Sequence, residues 1–284
     1  MPILDFHLHY NGNVDDAERF ADLWRAGGVE KAVVFGLNRE DGSHTSVAEV
    51  AALAERLPEF YIPFAYLNPG YEDCLSALAE AAERGFKGVK FIYSAKPYDD
   101  DEYFPIYEAA AKANMVCLFH VGIVVGSVGK GGQHGIDFQG KWRISSNFMR
   151  PMHLDRIARA FPDMPIVGAH MGSESWYEEA TSMLPWHGNV YFDQSIGQFH
   201  YAKKNAPEGT DSRVIKSRVR ELYDSGQLNL NRILFGSDGV VGSPDADPSW
   251  ALSTLKFELE GLGATDEEKE AVSWGTAARL LGVD

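Results

Sequence analysis

His7 and His9 stand two residues apart in the opening run ILDFHLH. On an extended strand, alternate residues point to one face, so both imidazoles share a side. Three further groups fall at equivalent places: His120 ends the run MVCLFHV, His170 ends IVGAH, and Asp238 lies two residues past RILFG. Imidazoles and a carboxylate converging at one spot offer nitrogen and oxygen ligands to a divalent ion such as Zn²⁺, with a position left open for water. Any one buried histidine is more commonly a hydrogen-bonded core group. Four histidines and an aspartate, each at the end of a β-type run, make a metal centre the better reading. The remaining histidines, His44, His134, His153, His187 and His200, fall in loops or at helix edges.

The elements that would carry these groups alternate along the chain. Apolar β-type runs cover 3–9, 31–36, 60–67, 88–93, 115–121, 166–170, 189–195 and 232–236, with amphipathic segments between them; an irregular region follows the seventh run before a helix around 211–225, and two helices close the chain near 250–260 and 266–281. Asp15 is a suitable N-cap and Gly27–Gly28 a suitable stop for the first helix, and Pro63 weakens the third strand by removing a ladder donor. Near-continuous Val, Ile and Phe suit strands covered on both faces. Eight such units predict one (β/α)8 TIM barrel over 1–284, α/β in class and a single domain, with its active site at the carboxyl ends of the strands. An open doubly wound sheet would need a glycine-rich phosphate turn after the first run, and HLHYNGN is not one.

Composition narrows the partners. The chain has 26 basic and 41 acidic residues, a formal net charge of −15, which repels phosphate backbones and anionic lipid. The expected partner is therefore a small-molecule substrate, with neither nucleic acid nor membrane. The N-terminus lacks a secretory apolar core and no segment reaches membrane-spanning length, so cytoplasm is the expected compartment. Cys74 and Cys117 are expected to be buried reduced thiols rather than a disulfide.

The motifs DFHLH, LFHVG, GAHMG and ILFGSDG, together with FPDMPIVGAHMG and the C-terminal GTAARLLGV, resemble the amidohydrolase superfamily across essentially the whole chain. The resemblance is to its amidohydrolase-2 branch, which includes relatives of aminocarboxymuconate-semialdehyde decarboxylase. It implies a single divalent metal, Zn²⁺ first and Mn²⁺ or another first-row ion second, ligated by His7, His9, His120 and Asp238. It places His170 beside the metal-bound water as acid/base or electrostatic stabiliser, with Asp238 also able to accept a proton. A homodimer is expected at the level of the family. In two-metal members a carbamylated lysine on the fourth strand bridges the ions; for Lys90 a role in holding an anionic substrate group is preferred.

On the substrate side, the glycine-rich segment 122–148 is too long for a routine connection and reads as a lid over the site. Lys90, Arg143 and Arg39 are the cations placed to hold a carboxylate, Arg bidentately. Arg150 is as well explained by a structural ion pair, and Trp176 and Gln194 are weaker candidates for the pocket wall. The predicted activity is metal-dependent hydrolysis of an ester, lactone or amide bond in a small carboxylate-bearing substrate. The alternative is non-oxidative decarboxylation of a small aromatic or dienoic acid, and the third reading is a metal-binding barrel without turnover.

Overall fold

Runs of β-branched and aromatic residues form the strands of one curled parallel sheet, each followed by a helix. The computed structural model describes residues 1–38, 43–124, 144–195, 197–203, 210–243 and 246–283. In chain order the first six units are β1 (Ile3–Tyr10), α1 (Ala17–Ala26), β2 (Val29–Phe35), α2 (Val47–Arg56), β3 (Tyr61–Leu67), α3 (Cys74–Glu83), β4 (Gly88–Phe91), α4 (Phe104–Lys112), β5 (Val116–His120), α5 (His153–Ala160), β6 (Ile166–Ala169) and α6 (Ser173–Met183). There follow β7 (Val190–Gln194), the short β8 (His200–Ala202) and β9 (Arg213–Ile215), α7 (Ser217–Asp224), β10 (Ile233–Phe235), β11 (Gly239–Val241), α8 (Ser249–Leu262), α9 (Asp266–Glu270) and α10 (Thr276–Leu281).

Neighbouring strands from β1 to β7 pair in parallel, β10 pairs with β7, and β11 pairs with β1. Because β10 and β11 are consecutive in the chain, they are two halves of one eighth strand, broken at residues 236–238. The lower half closes on β7 and the upper half on β1, so the ring of strands returns to its start. The fold is a (β/α)8 barrel, and the break that splits its last strand carries Asp238.

Local chemistry explains the boundaries. Ser46 and Glu49 form a reciprocal capping box that starts α2, and Asp73 accepts from Ser76 N to start α3, each satisfying amides that the first helical turn leaves open. Pro63 lies inside β3 after all: its carbonyl accepts from Lys87 N at 3.1 Å, ahead of where the β4 ladder begins. Two elements depart from the sequence reading. The irregular stretch after β7 contains an antiparallel hairpin, β8 with β9, which delays the next helix to Ser217. The closing helix expected over 266–281 is interrupted by a π-turn at Ala271–Gly275.

The core is packed with aromatic edges, as between Phe6 and Phe64 and between Phe91 and Tyr107. Cys74 and Cys117 are buried free thiols. Among the described residues no helix is long and apolar enough to cross a membrane.

Gly88 shows how tightly β4 is held. A Cβ there would lie 2.4 Å from Phe64 Cζ and 2.5 Å from the Val116 carbonyl oxygen, and backbone cannot yield as a flexible side chain can. Gly88→Ala is expected to destabilise the barrel by roughly 1–3 kcal/mol, the usual range for an overfilled core, measured as a lowered urea midpoint with unchanged slope.

Candidate metal centre

β1 brings His7 and His9 to the same face, as the alternation requires, and the backbone around them is fixed from below. The carboxylate of Asp5, wholly buried, accepts from His7 N at 3.1 Å, Trp24 Nε1 at 2.9 Å and Ser237 N at 2.9 Å. Asp238 N in turn donates to the His7 carbonyl at 3.0 Å. Asp238 has φ 58°, a left-handed conformation that Asp tolerates better than most residues. The broken eighth strand thereby presents the Asp238 carboxylate directly to β1.

The proton positions follow from what each ring's Nδ1 meets. His7 Nδ1 lies 2.7 Å from Asp193 Oδ2, and His9 Nδ1 lies 3.1 Å from the Gly36 carbonyl. His170 Nδ1 lies 2.6 Å from Ser195 Oγ, which donates to Asp193 Oδ1 at 2.7 Å. Each partner is placed to accept, so each Nδ1 carries the hydrogen and each Nε2 keeps its lone pair. Burial, then the charge of Lys90, lowers the pKa of His7. Burial alone is the largest cause that pushes His170 down to about 3, and burial together with His170 takes His120 well below the usual imidazole range. These three rings are therefore neutral at neutral pH. Burial opposes the ionisation of Asp193, but His7 beside it and the hydrogen bonds it receives overcome that and hold it below the ordinary carboxylate range.

A cation fits this donor set. His7 Nε2 and His9 Nε2 lie 3.2 and 3.3 Å from the same oxygen, Asp238 Oδ1. With both Nδ1 hydrogens committed elsewhere, lone pairs face a carboxylate oxygen with no proton between them, an arrangement that a shared positive charge relieves. His120 Nε2 is buried without a hydrogen-bond partner, which is costly unless something completes it. The rings of His7 and His170, and of His120 and His170, have centroids 4.8 Å apart. His7, His170 and Asp238 offer ligand atoms within 4.8 Å of one another, so His170 stands as close to the centre as a ligand would.

The five residues singled out in the sequence thus converge, and the substrate-side candidates scatter. Lys90 is fully buried under the site, 3.3 Å from His7 Nε2 and over the Phe35 ring, and it does not line the cavity. Burial lowers its pKa to about 8. Arg39 and Arg143 lie outside the described residues, as does most of the expected lid; at its near edge Ile123 and Val124 line the cavity. Arg150 pairs with Glu179 on the surface and stacks over Trp176, both lining a second groove rather than the cavity beside the histidines. Gln194 bonds to Glu258 behind the barrel.

The cavity has a volume of about 220 Å³. His9, His120, His170 and Asp238 cluster on one side of it, and Leu37, Tyr66, Ile92, Tyr93 and Val240 supply most of the remaining wall. Asp193, Ser195, Tyr66 and Tyr93 were missed in the sequence. For the first two a signal existed: a carboxylate and a hydroxyl two apart in the otherwise apolar strand end VYFDQS share a face.

Asp193 supplies the test of this arrangement. Outer partners of ligating histidines usually contribute 10–100-fold in metal affinity, so Asp193→Asn is expected to weaken metal binding by about that factor while the protein stays folded. Competitive titration against a chromogenic chelator measures it, and unchanged affinity would show that the His7 tautomer does not depend on Asp193.

Comparison with known proteins agrees with this fold. An uncharacterized TIM-barrel protein from Bordetella bronchiseptica superposes with a TM-score of 0.66 at 18% identity, covering 99% of each chain. The 2,6-dihydroxybenzoate decarboxylase from Rhizobium matches with a TM-score of 0.59 at 14% identity, again over 99% of each chain. The 5-carboxyvanillate decarboxylase LigW from Sphingomonas paucimobilis matches with a TM-score of 0.60 at 13% identity, over 100% of this chain and 99% of that one. Identities this low speak for the fold alone. No curated protein matches at a significant level. The model of the Amidohydrolase family (Amidohydro_2) matches residues 7–283, from the first histidine of the site almost to the last residue, and the chain belongs to that family.

Proposed function

We propose that the chain is a metal-dependent hydrolase, acting on an ester, lactone or amide bond of a small substrate with an apolar body. The observation that carries this reading is the 2.6 Å contact of His170 Nδ1 with Ser195 Oγ, which leaves the Nε2 lone pair available beside Asp238 and the paired histidines of β1. His7, His9, His120 and Asp238 would hold one divalent ion, of which Zn²⁺ suits the donors and other first-row ions suit them too. Such an ion supplies Lewis-acid polarisation of an oxygen and lowers the pKa of water towards ~7.

His170 would do the proton work. As water adds to the scissile carbonyl, Nε2 takes its proton, and the resulting imidazolium keeps its Nδ1–H on Ser195 Oγ. Ser195 passes that bond to the ionised Asp193, whose negative charge stabilises the cation without a proton having to leave it. The same Nε2 then returns the proton to the departing oxygen or nitrogen. Apolar residues around the cavity exclude bulk water from this exchange.

A decarboxylase is the second reading, and one observation favours it. Among the described lining residues no lysine or arginine faces the cavity away from the histidines, so a planar acid would present its carboxylate to the polar side. There His170, neutral at rest, would relay a proton from solvent through its Nε2 to the ring carbon as CO₂ departs. Two structural neighbours named above are decarboxylases of ring acids, which agrees with this alternative.

Two measurements separate the readings. A screen in ¹⁸O-water is expected to place solvent oxygen in the product; CO₂ release without such incorporation would assign the decarboxylase instead. Chelation is expected to abolish turnover and a divalent ion to restore it, whereas activity surviving complete metal removal removes both readings. His170→Gln is expected to lower kcat by about 10²–10⁴-fold, the usual contribution of a general acid/base, with metal content retained. Loss of the metal in that variant would make His170 a ligand.

A further inference from the structure

The phenol of Tyr98 is wholly buried, and the chemistry proposed above makes no use of it. Its hydroxyl lies 3.1 Å from the Phe91 carbonyl and 3.2 Å from the His120 carbonyl, the last residues of β4 and β5. The ladder between those strands stops with Phe91 opposite Phe119, one residue short of His120. The next amide of the chain, Ile92 N, donates instead to the Leu67 carbonyl on β3 at 3.2 Å. The backbone then bends through Tyr93, whose φ of 53° is an outlier for a bulky aromatic residue. The amide that would continue the ladder has gone elsewhere, and a buried carbonyl needs a donor. Tyr98 supplies one from the side, sharing a single hydrogen between the ends of two strands.

Tyr98 is itself held on all sides. Its N–H donates to the Phe148 carbonyl at 3.2 Å, and its carbonyl accepts from the Tyr107 hydroxyl at 2.8 Å. Its ring meets Phe119 edge-on, with centroids 5.0 Å apart. Burial keeps the phenol protonated and therefore a donor. The rings of His7, His9 and His170 each have a partner for Nδ1, whereas the ring of His120 makes no hydrogen bond to another described residue. Its placement relies on the backbone that carries it. Tyr98 holds that backbone at the His120 carbonyl, and two residues on Gly122 N donates to the Met149 carbonyl at 3.1 Å.

We propose that Tyr98 is a positioning residue of the metal centre, its hydroxyl fixing the strand end from which His120 reaches the ion. The proposal rests on the reading of His120 as a metal ligand. It accounts for a buried phenol at the one junction where the ladder beside a ligand has run out. The hydroxyl does for His120, through the main chain, what Asp193 does for His7 through the ring.

A double-mutant cycle tests it, because Tyr98→Phe keeps the ring and its packing and removes only the hydroxyl. Zn²⁺ affinity is measured by competition with a chromogenic chelator in the wild type, Tyr98→Phe, His120→Ala and the double variant. Tyr98→Phe is expected to weaken Zn²⁺ binding about tenfold, the lower end of the range for groups that hold ligands in place. In the His120→Ala background the same change is expected to alter affinity by less than about twofold, as its effect passes through the missing ring. A merely structural role would cost the same in both backgrounds, which overturns the proposal. With Co²⁺ in place of Zn²⁺, Tyr98→Phe is expected to shift the visible ligand-field bands, and unshifted bands overturn it as well. Weakened binding in His120→Ala with none in Tyr98→Phe overturns the proposal alone and leaves the functional reading standing. Undiminished binding in His120→Ala removes that residue as a ligand and overturns both.

Discussion

The buried carboxylate of Asp193 is the constraint on which the centre depends. Its two oxygens receive His7 Nδ1 from β1, the backbone N–H of His170 at the end of β6, and both the amide and hydroxyl of Ser195. One group on β7 thereby ties together three strands and sets the proton on two rings. Burying a charge is costly unless it is fully hydrogen-bonded, and here four donors meet that requirement. An amide could accept from His7 or from His170 N, but its own NH₂ would then confront a donor. Charge and geometry both select a carboxylate.

Beyond His170 the chain enters an unusual conformation. His170, Met171, Gly172 and Ser173 all have positive φ, at 61°, 48°, 80° and 54°. Single residues visit this region with ease only when they are Gly, Asn or Asp, so four in succession, three with full side chains, constitute stored strain. Gly172 is required twice over, by its φ and because a Cβ would lie 2.9 Å from Pro151 Cγ. This left-handed turn separates His170, facing the metal centre, from α6, which begins at Ser173. Together with Tyr93 and Asp238 it places most of the strained non-glycine backbone among the described residues around one cavity, the distribution expected where stability is given up for positioning.

Sequence reasoning reached the barrel and the five converging groups because both rest on short-range regularities. Strand periodicity identifies which residues share a face, and the end of a strand identifies which lie at the carboxyl mouth. It did not reach Asp193 and Ser195, whose importance lies in contacts with His7 and His170 made across the barrel. Nor could it tell that Lys90 turns inward beneath His7 while Ile92 and Tyr93 form the wall, since β4 ends at Phe91 and its alternation breaks at the strained turn. The interrupted last helix is a similar case: the apolar pattern of 266–281 is helical, and only packing against the barrel reveals the π-turn within it.

The closure of the eighth strand has a consequence for how the molecule comes into being. Ser237 and Asp5 bond across 232 positions of sequence, and Asp238 meets His7 and His9 at the same seam. Contacts this distant form late, because the loop they close must be ordered before they reward it. A chain emerging from the ribosome would hold His7 and His9 without the carboxylate that completes them until its eighth strand is made. The centre can take shape only when the first strand and the last have found each other. Ion capture would then mark a finished barrel, and a truncated or misregistered chain would carry the histidines but no trap.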